Sequence, residues 1–93
     1  MKQIKKSEKI LKALANTKRL QILHLLDKSK ELDIISITKV INLHYKTTAK
    51  HLDQLSAAGL IIKVRKGTWV KIIPNPRVKK LLVFIDNLDR RER

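Results

Sequence analysis

The stretch ISITKVINLHYKTTAKHLDQLSAAGL, residues 35–60, decides the fold. Ile37, Val40 and Ile41 recur at helical spacing with Lys39 outward, so residues 36–41 read as a short helix. Asn42 tolerates the left-handed conformation that stops a helix, and Leu43 returns to the core. A longer helix then begins at Tyr45 and ends before Gly59, with Thr48, Leu52 and Leu55 inward. Tyr45, Lys46, Thr47, Ala49 and Lys50 face outward, all short, polar or basic apart from the tyrosine. Two helices joined by so short a turn form a helix-turn-helix over residues 36–58.

Working outward from this pair, residues 7–15 read as a first helix capped by Ser7, with Ile10, Leu11 and Leu14 as its apolar stripe. Asn16 and Thr17 break and recap the chain. A second helix follows to about Lys28, its apolar residues Leu20, Ile22, Leu23, Leu25 and Leu26 on both flanks predicting burial on more than one side. Residues 29–33 read as a polar connection. After Gly59 the pattern alternates: Leu60 to Arg65 and Thr68 to Ile73 are β-branched runs joined at Lys66-Gly67, a hairpin or wing over residues 60–73. Asn75-Pro76 starts a last helix, residues 76–90, whose stripe is Val78, Leu81, Leu82, Ile85 and Leu88. Arg90 to Arg93 are expected to fray. The expected architecture is one domain, residues 1–93, mainly α with a small β-hairpin, in the order α-α-α-α-β-β-α.

Charge then points to the partner. The chain carries 22 Lys and Arg against 8 acids, a formal net charge of +14. Between Ile34 and Ile85 the only acid is Asp53, while the other seven lie before or after. A lysine-rich bias that merely keeps the surface solvated would not sort charges by position, so a polyanion is the expected partner. An α-helix fits the major groove of B-DNA, and the first turns of a second helix in this motif reach the base edges. Lys46 and Lys50, four apart, share a face there, and Thr47 offers a methyl and a hydroxyl. Lys39 stands outward on the preceding helix, and the hairpin tip Arg65-Lys66-Gly67-Thr68 concentrates positive charge on a projecting turn. Trp69 is expected to pack, beside core-like Val70 and Ile72.

Several classes are excluded. The chain has no cysteine, so disulfides and thiolate ligands are out. His24, His44 and His51 include no close ligand pair, and no metal site is expected; His24 reads as structural among leucines, His44 as a cap, and His51 as facing solvent or a phosphate. No catalytic grouping or glycine-rich phosphate loop occurs, so neither catalysis nor a cofactor is expected. No apolar run nears the roughly 20 residues of a membrane span. Glu8, Lys9 and Lys12 interrupt any secretory signal, leaving a soluble intracellular protein as the expectation.

The segments LKALANTKRLQILHLL (11–26), ISITKVINLHYKTTAKHLDQLSAAGLI (35–61) and KVRKGTWVKI (63–72) together resemble the winged helix-turn-helix repressors of the arsenic-repressor (ArsR) type. The resemblance implies DNA contacts from Tyr45, Lys46, Thr47, Lys50 and His51, with Arg65 and Lys66 on the wing. It also implies a homodimer through the first and last helices, which engages Ile10, Leu11, Leu14, Val78, Leu81, Leu82, Ile85 and Leu88; the stripe on the last helix otherwise reads as intramolecular core. The implied setting is the cytoplasm of a prokaryotic or viral-host cell, in association with the nucleoid. The sequence departs from the family at its metal motifs: Ile34, Ile35 and Ser36 stand where a cysteine motif often lies, and the last helix has Asp86 and Asp89 but no histidine. Metal-controlled release is therefore not expected. The expected function is sequence-specific repression of transcription, with a sequence-tolerant architectural protein as the alternative.

Overall fold

Asn16 separates the first two helices, and its side-chain oxygen accepts the Arg19 amide at 3.1 Å to cap the second. In the computed structural model, which describes residues 1–90, α1 spans Lys2–Leu14 and α2 spans Thr17–Ser29. The first helix begins five residues before the expected Ser7 cap. Ser7 instead lies inside it and donates its hydroxyl to the Gln3 carbonyl at 3.0 Å, the back-bond that a mid-helix serine makes. Residues 2–6, Lys-Gln-Ile-Lys-Lys, are good helix formers and need no cap to extend it. Loss of the Asn16 cap has a defined cost. Asn16→Ala is expected to lower stability by about 1 kcal/mol, seen as a lower denaturant midpoint at unchanged slope.

On α2, Ile22, Leu23 and Leu26 are fully buried, as the apolar residues on both flanks predict. His24 is exposed, contrary to the expectation that it sits among leucines, because 100° per residue turns it opposite the line of Ile22 and Leu26. Lys30, at φ 75°, ends the helix with its amide on the Leu26 carbonyl. The expected polar connection contains a two-residue strand, β1 (Leu32–Asp33), too short to show alternation in sequence.

The short helix α3 spans Ile34–Ile41, two residues longer at its start than expected. Asn42 closes it in the left-handed conformation, φ 61°. Ile34, Ile37 and Ile41 form its buried line, and Val40 lies off that line, exposed rather than inward. Helix α4 spans Tyr45–Ala57 with Thr48, Leu52 and Leu55 fully buried. The Thr48 hydroxyl donates to the His44 carbonyl at 3.0 Å, so this buried polar group is satisfied. After α4 the Leu60 amide reaches back to the Leu55 carbonyl and the Gly59 amide to that of Ser56, a Schellman closure. It requires a left-handed residue, and Gly59 supplies it at φ 76°.

The hairpin strands are β2 (Ile61–Lys66) and β3 (Trp69–Pro74), one residue later than expected. Lys66 pairs with Trp69, so the turn residues are Gly67 and Thr68. Only the first has positive φ, +62°, which defines a type II′ turn. Strand β1 pairs with β3 through Leu32↔Ile72 and Asp33↔Lys71, so the hairpin grows into a three-stranded antiparallel sheet of order β1-β3-β2.

Helix α5 spans Val78–Asp89. The helix starts two residues later than expected and Asn75 does not cap it: its Oδ1 accepts the Arg77 amide at 2.8 Å in a turn ahead of the helix, and its side-chain amide donates to the Gly59 carbonyl. One residue thus fixes where α5 leaves the corner between α4 and β2. Its stripe divides in two. Val78 and Leu82 lie in the chain's own core, as does Leu14 on α1, so these three are packed within the chain rather than left for a partner. Ile10, Leu81 and Ile85 are half-buried, while Leu11 and Leu88 are exposed. Ile4 and Phe84, absent from the expected stripes, are exposed beside them. The expected fraying of the last residues falls, beyond Arg90, outside the described residues.

Candidate nucleic-acid interface

The first turn of α4 has Tyr45, Lys46 and Thr47 exposed, with Lys50 one turn further on the same face as Lys46. His44 occupies the cap position, as expected, but its side chain makes no capping bond. The first-turn amides and the positive end of the helix dipole are therefore open to an anion.

Exposed cations stand on three elements, and Lys39 shares a groove with Tyr45. Lys39 is exposed on α3, and Arg65 and Lys66 are exposed at the end of β2. Among the described residues, none of Lys39, Lys46, Lys50, Arg65 and Lys66 has an ion-pair partner. The one acid of the basic span behaves differently. Asp53 of α4 is paired with Lys63 of β2, tying α4 to the base of the wing. Lys71 is likewise engaged, 2.9 Å from Glu31, and this ammonium holds the Glu31 carboxyl below the usual range. Both pairs are exposed to solvent, which screens them, so neither adds much stability. Their effect is to give Asp53 and Glu31 cations of their own.

Two side chains depart from expectation. Trp69 does not pack: alternation along β3 puts it on the sheet face opposite Val70 and Ile72, and it is 62% exposed. With Tyr45, Ile35 and Lys39 it lines a groove of ≈ 480 Å³ between α3, the start of α4 and the wing. His51 is half-buried and turned toward Arg19, whose Nη1 lies 3.1 Å from Nδ1. Arg19 also donates through Nε to the Ala13 carbonyl at 2.6 Å, so it locks the end of α1 to α4. The arginine can only donate, so Nδ1 accepts and Nε2 carries the ring proton.

Burial, and then the Arg19 charge, hold the His51 pKa below the ordinary histidine value. The unfolded chain therefore binds a proton more readily than the folded one. The resulting stability is present above about pH 6.5 and is lost as pH falls through the depressed folded-state value. His51→Gln, which keeps an acceptor for Arg19, is expected to lose less stability than the parent between pH 7 and 5 in paired thermal melts.

Residues 34–36, which stand where a cysteine motif often lies in the family, offer no thiolate. Ile34 is buried, and the Ser36 hydroxyl donates to Asp33 at 2.6 Å, which lowers the Asp33 pKa. Among the described residues no three His, Asp or Glu side chains are grouped to hold a metal, and no helix is long and apolar enough to cross a membrane.

Helix-turn-helix, three-stranded wing and flanking helices define a winged helix-turn-helix domain of the kind found in transcriptional regulators, which are not enzymes. A family model described as "Bacterial regulatory protein, arsR family" matches residues 16–63, from the α2 cap into the wing. The chain belongs to this arsR family of transcriptional regulators. It is 30% identical over 89 residues to an HTH-type transcriptional regulator of Methanocaldococcus jannaschii, covering 95% of this chain and 100% of that one. It is 35% identical over 66 residues to the arsenical resistance operon repressor of Bacillus subtilis, covering 71% of this chain and 63% of the repressor. A solved Mycobacterium bovis structure, the homodimeric winged helix-turn-helix DNA-binding domain of a possible ArsR-family regulator, superposes with a TM-score of 0.83 at 29% identity. That match covers 91% of this chain and 79% of the other.

Proposed function

We propose that this regulator is a homodimeric, sequence-specific repressor that lays α4 in the major groove of an operator. The observation that carries the reading is the set of exposed cations on α3, α4 and the wing, Lys39, Lys46, Lys50, Arg65 and Lys66, none of them in an ion pair among the described residues. Lys46 and Lys50 reach base edges or the groove wall, and Thr47 meets thymine methyls. Arg65 and Lys66 grip phosphates beside the main site, and Tyr45 and Lys39 flank it. Held by Arg19, His51 presents its Nε2–H as a further donor. Blocking polymerase at the operator gives repression, as the name of the Bacillus subtilis relative describes for that protein. The protein acts in the cytoplasm, at the nucleoid.

The homodimer reading rests on what the fold leaves uncovered. Leu11 and Ile4 on α1, with Phe84 and Leu88 on α5, are exposed, and a groove of ≈ 630 Å³ lined by Ile10, Leu81 and Phe84 runs between the helices. A two-fold pairing there presents two α4 helices to half-sites about one helical turn apart.

A second reading, a sequence-tolerant DNA-coating protein, draws on the net charge of +14, since phosphate contacts give affinity without specificity. Selection of bound duplexes from a random pool separates the two. The repressor reading predicts enrichment of a two-fold-symmetric pair of half-sites; the coating reading predicts no enriched sequence.

A further inference from the structure

We propose that the groove between Tyr45 and Trp69 clasps the sugar–phosphate strand that divides the major from the minor groove, with Trp69 packed against deoxyribose. The inference rests on the DNA-binding reading and assigns to two aromatic residues a role that lysine and arginine contacts do not provide.

The chain has one Trp, one Tyr and one Phe, and all three are exposed. Phe84 lies on the dimer side. Trp69 and Tyr45, 62% and 54% exposed, instead line one groove together with Ile35 and Lys39. Indole and phenol rings left open to water in a chain this poor in aromatics point to an occupant with an apolar face.

Position and charge identify that occupant. The groove spans from the first residue of α4 to the hairpin turn, where Trp69 pairs across the strands with Lys66. A duplex that receives α4 in its major groove and the wing tip in its minor groove carries one backbone strand across this span. That strand presents C–H faces of sugar alternating with phosphates. Lys39 on one side and Lys66 on the other have no ion-pair partner among the described residues and meet the phosphates, while the rings meet the sugar. Asp33, the acid lining the groove, is engaged by the Ser36 hydroxyl and repels phosphate, so the strand lies against the Tyr45, Lys39 and Trp69 side. Contacts to sugar are blind to base identity, so the clasp adds affinity and register rather than sequence preference.

The single tryptophan reports on its own environment, and the test needs no label. Titration of the wild-type protein with its selected duplex, and with a random duplex, is followed by Trp69 emission. The clasp predicts a blue shift or quenching with both. Trp69→Ala is expected to weaken binding to both duplexes by about tenfold, the scale on which aromatic contacts to nucleic acid act, without changing the salt slope. Lys66→Ala lowers that slope by about one instead. Trp69→Phe retains most of the affinity, and Tyr45→Ala combined with Trp69→Ala weakens binding by less than the product of the single effects. Melting curves establish that each variant is folded, as the exposure of both rings predicts. Unchanged emission on saturation with duplex, or Trp69→Ala binding as tightly as wild type, overturns the clasp and leaves the regulator reading intact. Wild-type protein that binds neither duplex overturns both.

Discussion

Phe84→Asp combined with Leu88→Asp is expected to give a folded monomer whose affinity for a two-half-site duplex falls by about 10²–10⁴. Both side chains are exposed, so their replacement leaves the α5 anchors Val78 and Leu82 in the core. Two carboxylates brought face to face across a two-fold axis repel and must desolvate, whereas in a free monomer they remain hydrated. The loss in DNA binding follows because the second half-site is then met at bulk rather than local concentration. Light scattering on a sizing column reads the assembly, and titration of a one-half-site duplex is the control: its affinity is expected to stay near that of the parent. Leu82→Ala, two residues from Phe84 but buried, is expected to do the reverse and lower stability by about 2–5 kcal/mol. Opposite outcomes from neighbouring positions on one helix separate interface from core.

The second large effect is expected at Leu52, which is fully buried on the inward face of α4 between Thr48 and Leu55. Leu52→Ala removes packed methyl groups beneath α4 and leaves a cavity, costing about 2–5 kcal/mol. A domain of this size has on the order of 5–15 kcal/mol in total. Each kcal/mol moves the melting midpoint by about 4–8 °C, so a fall on the order of 10–30 °C is expected by circular dichroism. Lys50→Ala, on the opposite face of the same helix, is expected to change stability by no more than about 0.5 kcal/mol while weakening DNA binding. If Leu52→Ala melted with the parent, the placement of α4 on the core would be wrong.

The helix-turn-helix was legible because its signals are local and redundant. Asn42 and Gly59 mark left-handed stops, and Thr48, Leu52 and Leu55 keep strict helical spacing between them. The hairpin was legible to within one residue. The sequence suggests Lys66-Gly67 as the turn pair, but a glycine at the first central position belongs to a type II′ turn, which moves the pair to Gly67-Thr68. Strand β1 left no signal, since two residues cannot show an alternating pattern and its existence depends on Ile72 and Lys71 being opposite.

At the site, residue type and chain position placed the exposed lysines, but not the neighbours that neutralise or hold them. That Lys63 engages Asp53, or that Arg19 engages His51 across 32 positions, depends on packing between elements. The neighbours Val70 and Ile72 suggest a packed Trp69, but alternate residues of a strand face opposite ways, so a buried Ile72 places Trp69 outward. Phe84 was passed over for a similar reason. The stripe that fits Val78, Leu82 and Ile85 is the core line, and the line through Leu81, Phe84 and Leu88 lies beside it at the same helical spacing.

The central claim, that these unpaired cations and the outward face of α4 serve sequence-specific recognition, is tested most directly by the ratio of affinities for the selected duplex and a random one at fixed salt near 0.15 M. The account predicts a ratio of about 10³ or more, collapsing when Lys46 and Lys50 are both replaced by alanine. Equal affinities for the two duplexes would contradict it.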